Sequence, residues 1–232
     1  MDKEQFDAHE ALVKELNDPV LRAEYARAYD AYKPGIVARV LGWLLVGSGN
    51  FVYGRKPGYA KFKAIEVIAR IPYQSWEVAT YTLLTGFYAN EARAIELTKT
   101  SRFSREAQDN ETMHVVVMSQ IVKRLRCQGL IRHILIPLVF SLFYFWTLYL
   151  LYMLSRRSAL ELNYLFEDHA YHQYQEFLTR EGERLRDTPV YSDFLVFYGR
   201  NPRSEYELFE SIRNDELIHR NRSIRELQAR KK

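Results

Sequence analysis

Two short patterns in this 232-residue chain pair a carboxylate with an imidazole: Glu111-Thr-Met-His114 and Glu216-Leu-Ile-His219. On a helix, residues three apart lie on one face, one turn from each other. A Glu-x-x-His pair can therefore offer two ligands to one metal ion. Helical bundles that hold two metals use two such pairs plus one Glu from each of two further helices. Two lone carboxylates fit that requirement. Glu66 sits among Ala64, Ile65, Val67 and Ile68, and Glu167 follows Tyr164-Leu165-Phe166. A charge in an apolar stretch is costly unless it is ligated, paired or turned to water. Carboxylate oxygens with imidazole nitrogens suit iron or manganese. The competing reading is Glu and His on solvated helix faces, since a chain with 6 His will form some such pairs by chance.

Long helices must carry these residues. Gly and Pro number only 10 and 7, too few for a fold of short strands and turns. Residues 2–33 read as one or two polar helices, ended by Pro34-Gly35. Residues 36–53 are apolar with three glycines and look interfacial, and Lys56-Pro57-Gly58 marks a turn. A helix over 59–87 holds Glu66, with Pro72 expected to bend or interrupt it. A polar stretch over 88–103 precedes a helix over 105–129 that holds Glu111 and His114. Residues 158–186 and 205–230 supply the last two helices, joined by a loop over 187–204.

Residues 134–154 contain no charged residue and are long enough to span a bilayer. Glu66 and Glu111 precede this segment, while Glu167 and Glu216 follow it. One crossing would separate the two sets by a hydrocarbon layer of ~30 Å. If the four carboxylates share a site, the segment must lie in one leaflet or re-enter. Together with residues 36–53 it would then form a monotopic anchor.

The net charge of +4 is too small to point to nucleic acid, and no aromatic-basic ladder or zinc-finger spacing is present. Cys127 is the only cysteine, which excludes an intrachain disulfide. It reads as a buried or lipid-facing thiol. Residues 1–35 are acidic-amphipathic, unlike an Arg-rich transit peptide. His9 and His133 carry no evident chemical signal. His169 and His172 read as exposed, or His169 as a donor behind the ligands.

Four segments resemble the alternative oxidases. Ile212-Arg213-Asn214-Asp215-Glu216-Leu217-Ile218-His219-Arg220 is similar to the family's I-R-A-D-E-x-x-H-R, and Asn110 through His114 to its N-E-R-M-H. Glu167 through Tyr174 is similar to E-E-E-A-x-H-S-Y, and Glu66 through Pro72 to E-T-V-A-x-V-P. The resemblance runs over about residues 58–222, with the segments in the family's order.

It implies an all-α, ferritin-like di-iron four-helix bundle with additional apolar membrane-surface helices. The expected domains are a polar helical arm over 1–35 and a membrane-bound bundle over 36–232. The implied iron ligands are Glu66, Glu111, His114, Glu167, Glu216 and His219. Tyr174 would lie beside two irons as an electron-transfer residue, Tyr198 would be a second nearby tyrosine, and Asp215 would support the ligands. Tyr174 follows Glu167 by seven residues, two turns along one helix face, so its position agrees. Lys61, Ile65, Ala170 and Gln173 would line a quinol pocket.

The implied activity is oxidation of ubiquinol with reduction of dioxygen to water, without proton pumping. The implied partners are one membrane leaflet and a second copy of the chain or a larger respiratory complex. The implied home is the mitochondrial inner membrane, with a bacterial cytoplasmic membrane as the alternative. Thr112, Asp168, His169, Gln173 and Lys61 depart from the family pattern, and none of these changes removes an implied ligand. Two rival readings are a demethoxyubiquinone hydroxylase and an accessory subunit that retains the fold.

Overall fold

The computed structural model describes residues 3–228. Nine α-helices account for most of them: α1 (Lys3–Glu15), α2 (Pro19–Arg27), α3 (Ile36–Tyr53), α4 (Tyr59–Phe87), α5 (Glu91–Arg124), α6 (Ile136–Leu154), α7 (Arg156–Arg186), α8 (Asp193–Tyr198) and α9 (Glu205–Gln228). One turn of π-helix, Ile131–Leu135, leads into α6. No named strand occurs among the described residues.

The long helices start at recognisable caps. Asn90 opens α5 by accepting from the backbone N–H of Arg93 at 3.0 Å. Ser155 opens α7 by accepting from Ser158 N–H at 3.2 Å. Each satisfies a donor that the first helical turn leaves unpaired. Glu91 in the first turn of α5, and Lys123 and Arg124 in its last, complement the helix dipole.

Helices α4, α5, α7 and α9 form a bundle, with α4 against α5 and α7 against α9 as the most extensive pairs. Two aromatic clusters are packed into it. One joins Phe62, Tyr174, Phe177 and Phe209. The other joins Tyr73, Trp76, Phe103 and Tyr152. Helix α3 lies on α7, and α6 lies across α4 and α7.

Helix α9 is buried on nearly every side, which explains why its sequence shows no single apolar stripe. One face meets the bundle, and α1 and α2 cover the other. Val13 and Leu16 pack on Leu217 and Ile218. Asn214 donates to Val13 O at 2.9 Å and to Asn17 Oδ1 at 2.8 Å, and Asn221 donates to Tyr25 O at 2.7 Å. The buried amides on this face are thus satisfied by the N-terminal helices. At Gly35, where the chain turns towards α3, the backbone N–H donates to Glu161 Oε2 at 2.9 Å. A Cβ there would stand only 3.1 Å from that oxygen, so the close approach favours glycine.

Several boundaries differ from the sequence expectation. Helix α4 continues through Pro72, which is buried in the middle of it. Loss of one backbone hydrogen bond is outweighed there by packing on both sides. The stretches over 88–103 and 105–129 are one helix, α5, which stops at Arg124. The loop over 187–204 contains α8, whose C-terminal Gly199 is left-handed at φ +103° and closes against the Phe6 ring. Cys127 is exposed, which excludes the buried half of the expectation and leaves the lipid-facing half open.

Helices α3 and the continuous stretch Ile131–Leu154 have the length and composition of membrane spans. Both expose large apolar side chains outward, including Trp43, Phe51, Leu138, Leu142, Phe143 and Trp146.

Candidate metal centre

The six residues expected as ligands converge in the middle of the bundle. Glu66 comes from α4, Glu111 and His114 from α5, Glu167 from α7, and Glu216 and His219 from α9. All six are buried. They form two groups of four: Glu66, Glu111, His114 and Glu216, and Glu111, Glu167, Glu216 and His219. Within each group, one ligand atom from every residue lies within 4.8 Å of the others. Glu111 and Glu216 belong to both groups, and each group adds one further Glu and one His. That is the donor arrangement of a paired-metal site with two shared carboxylates.

The residues fit a cation pair on a second ground. Both oxygens of Glu216, and Oε2 of Glu167, are buried without a hydrogen-bond partner. Carboxylate oxygens left so are unfavourable unless a cation meets them. Burial, then repulsion from Glu111, Glu66 and Glu167, holds Glu216 well above the usual carboxylate range. Burial also lifts Glu66 and Glu167, each to about 7. Glu111 goes the other way: burial would raise it, but His114 and His219 outweigh that and bring it down to about 2.

Asp215 stands behind His114. The imidazole Nε2 donates to Asp215 Oδ2 at 2.8 Å. Its Nδ1 therefore faces Glu66 Oε2 at 3.2 Å and Glu111 Oε2 at 3.3 Å. A carboxylate behind a ligating histidine fixes its tautomer and ring plane. Burial alone would raise Asp215, yet Arg200, His114 and His9 hold it well below the usual range.

Tyr174 donates to Glu66 Oε1, and its ring stacks on Phe62 at a centroid distance of 4.1 Å. Tyr73, which the sequence reading passed over, donates to Glu167 Oε1 at 2.7 Å. The two arrangements mirror each other. Tyr73 follows Glu66 by seven residues on α4, and Tyr174 follows Glu167 by seven on α7. Each tyrosine reaches the other helix's glutamate. The repeated Glu-x6-Tyr spacing was the available signal. Tyr198 does not reach the ligands directly; its hydroxyl accepts from Asn110 Nδ2 at 3.0 Å, beside Glu111.

A narrow, mostly apolar cleft opens between α3, α4 and α7. Asn50, Lys61, Ile65, Ile68, Phe166 and His169 contribute to its lining. Ile65 and Phe166 directly precede the candidate ligands Glu66 and Glu167. Lys61 Nζ donates to Gln173 Oε1 at 2.7 Å, to Asn50 Oδ1 at 3.0 Å and to Arg55 O at 3.0 Å. Burial pulls its ammonium down to about 8. Of the expected pocket residues, Lys61 and Ile65 line the cleft, Gln173 is tied to it through Lys61, and Ala170 is buried outside its lining. His169 does line it, and burial, then the Lys61 charge, pushes its imidazole down to about 4.

His9 also departs from expectation. It is not idle: its Nε2 meets Asp215 Oδ1 at 2.8 Å. His133 accepts from Gly129 N–H and lies away from the centre.

No solved structure gives a significant match to this chain. Among curated proteins, ubiquinol oxidase 4, chloroplastic/chromoplastic, of Arabidopsis thaliana is 26% identical over 181 residues, covering 69% of this chain and 49% of that protein. The chain spans about half the length of this relative. The alternative oxidase profile matches residues 36–226, a range that holds all six converging Glu and His residues, and the chain belongs to the alternative oxidase family.

Proposed function

We propose that this chain is a membrane-surface quinol oxidase that holds two iron ions between Glu66, Glu111, His114, Glu167, Glu216 and His219. The observation that carries the reading is the pair of four-residue groups sharing Glu111 and Glu216, one residue removed from an apolar cleft. Bound there, an iron pair supplies reversible one-electron chemistry and the place where dioxygen is reduced. Two quinols give four electrons and four protons, and one dioxygen becomes two waters.

The protein groups have definite work in this scheme. Glu111 and Glu216, common to both groups, would help to hold both ions, and Glu66 with His114 and Glu167 with His219 would complete one group each. Asp215 keeps the His114 proton on Nε2 and so leaves Nδ1 free to ligate. Tyr174 holds a proton at Oη against Glu66, which suits a phenol that passes an electron and a proton together. In the cleft, Lys61 presents a cation and His169 a neutral imidazole at neutral pH. Between them they can orient a quinol head and accept a hydroxyl proton. The apolar walls exclude water from the exchange.

The outward apolar faces of α3 and α6 support binding to one leaflet. Ligands from before and after Ile131–Leu154 converge, which argues against a single crossing by that stretch. A lipid-dissolved quinol would then enter the cleft from the bilayer. The relative's name is a plastid one, so the reading is of a quinone-bearing membrane rather than of the mitochondrial inner membrane in particular. The departures at Thr112, Asp168, His169 and Gln173 leave every ligand in place, which favours an enzyme over a retained scaffold.

The test is oxygen uptake by iron-loaded protein in quinol-containing vesicles, with product analysis. Quinone and water in a ratio of one to one support the oxidase. A hydroxylated quinone would move the assignment to a hydroxylase, and no uptake would favour the scaffold reading.

A further inference from the structure

Helix α1 lies outside the segment that matches the family, which begins at residue 36. It nonetheless reaches the support of the metal centre. His9 Nε2 meets Asp215 Oδ1 at 2.8 Å. The next residue, Glu10, accepts from Arg200 Nε at 3.0 Å and from Arg200 Nη2 at 2.7 Å. Arg200 in turn donates through both terminal nitrogens to Asp215, at 2.8 Å for Nη2 to Oδ1. Asp215 therefore takes two donors on each oxygen: His9 and Arg200 on Oδ1, and His114 and Arg200 on Oδ2. Asp215 is fully buried and Arg200 nearly so. A carboxylate with four donors can neither rotate nor drop His114 without breaking a buried hydrogen bond.

We propose that His9 and Glu10 are positioning residues of the metal centre: α1 clamps Asp215, and through it His114, directly by His9 and indirectly by Glu10 on Arg200. The inference rests on the paired-metal reading above. Glu10 acts through Arg200 and Asp215, and His9 acts through its hydrogen bond to Asp215, while its ring also lies against that of His219 at a centroid distance of 6.0 Å. Helix α1 is also anchored independently, by Val13 and Leu16 on α9 and by Phe6 edge-on to Tyr198 at 5.5 Å. Removing the His9 donor should therefore loosen the support without releasing the helix.

Loss of an outer partner of a metal-bound histidine typically weakens metal retention by about 10–100-fold. The experiment compares wild type, His9→Leu and His9→Gln, each loaded anaerobically with ferrous iron. It follows iron loss to a water-soluble chelator, the near-infrared circular dichroism of the bound iron, and far-ultraviolet helicity. Gln carries an amide N–H at nearly the reach of His Nε2, so it restores the donor without the ring.

The clamp predicts that His9→Leu loses iron at least about tenfold faster, with a shifted ferrous spectrum and unchanged helicity, while His9→Gln stays close to wild type. Glu10→Gln, which weakens only the hold on Arg200, falls between. Iron loss from His9→Leu at the wild-type rate overturns the inference. So does His9→Gln behaving like His9→Leu, because the contact would then be packing rather than a hydrogen bond. Wild type that takes up no iron instead overturns the paired-metal reading, and the clamp with it.

Discussion

Glu111 and Glu216, one from each Glu-x-x-His pair, are the two residues common to both groups of metal-capable side chains. Their surroundings differ. Glu111 is met by His114 and His219 within hydrogen-bond distance, whereas neither oxygen of Glu216 accepts a hydrogen bond and His114 Nδ1 stands 3.4 Å from its Oε1. Metal-free protein therefore carries its cost at Glu216.

Glu216→Gln should separate stability from function. In metal-free protein it removes a buried carboxyl crowded by Glu111, Glu66 and Glu167 and gives up only the 3.4 Å contact with His114, so denaturant unfolding should show a gain of about 1–3 kcal/mol. The same variant should fail to retain iron and lose quinol-dependent oxygen uptake. A metal-free variant less stable than wild type would contradict this view of Glu216.

Tyr73→Phe and Tyr174→Phe each remove a donor to a candidate ligand, Glu167 and Glu66 respectively. Each should weaken iron binding by up to about tenfold, the equivalent of ~1.4 kcal/mol. Only Tyr174→Phe should also stop turnover once iron is restored to saturation. Iron titration and oxygen uptake, measured separately, distinguish the two effects. Equal loss of saturated turnover in both would make Tyr73 a redox partner as well.

Lys61 gives a pH prediction with a definite sign. Its pKa in the folded chain is about 8, below the ordinary 10.5, because burial disfavours the ammonium. The penalty is fully present below about pH 8 and fades as pH rises from there through 10.5. Relative to Lys61→Met, wild type should therefore gain ~1–2 kcal/mol over that window, after solvent screening is allowed for. Paired denaturant melts at pH 7.5 and pH 10 measure it. A constant difference would refute the assignment.

Trp43 on α3 and Phe143 on α6 are 74% and 72% exposed. Burying such a side chain contributes roughly 1.5–3 kcal/mol. Trp43→Ser with Phe143→Ser should cut vesicle partitioning at least about tenfold, with bundle helicity retained. Unchanged flotation with vesicles would place the membrane face elsewhere.

The six side chains that converge in the bundle were readable because they follow local spacing: Glu-x-x-His within a turn, and lone glutamates in apolar runs. The tyrosines illustrate where such reading stops. Tyr174 stood out through a family resemblance, while Tyr73, at the same seven-residue offset from its glutamate, was passed over. Only the crossing of α4 and α7 shows that each tyrosine serves the opposite glutamate. His9 was illegible for a stronger reason. It lies 206 positions from Asp215, and no local pattern encodes a contact made by folding α1 onto α9. The unbroken α4 shows the same limit, since tertiary packing on Pro72 overrode a breaker that local rules take at face value.

Iron content per chain in purified, ferrous-loaded protein tests the central claim most directly. The account predicts close to two irons per wild-type chain, and a loss of both when Glu216, common to the two groups, is replaced by Gln. Well-folded wild type that holds no iron, or a variant that holds as much as wild type, would contradict it.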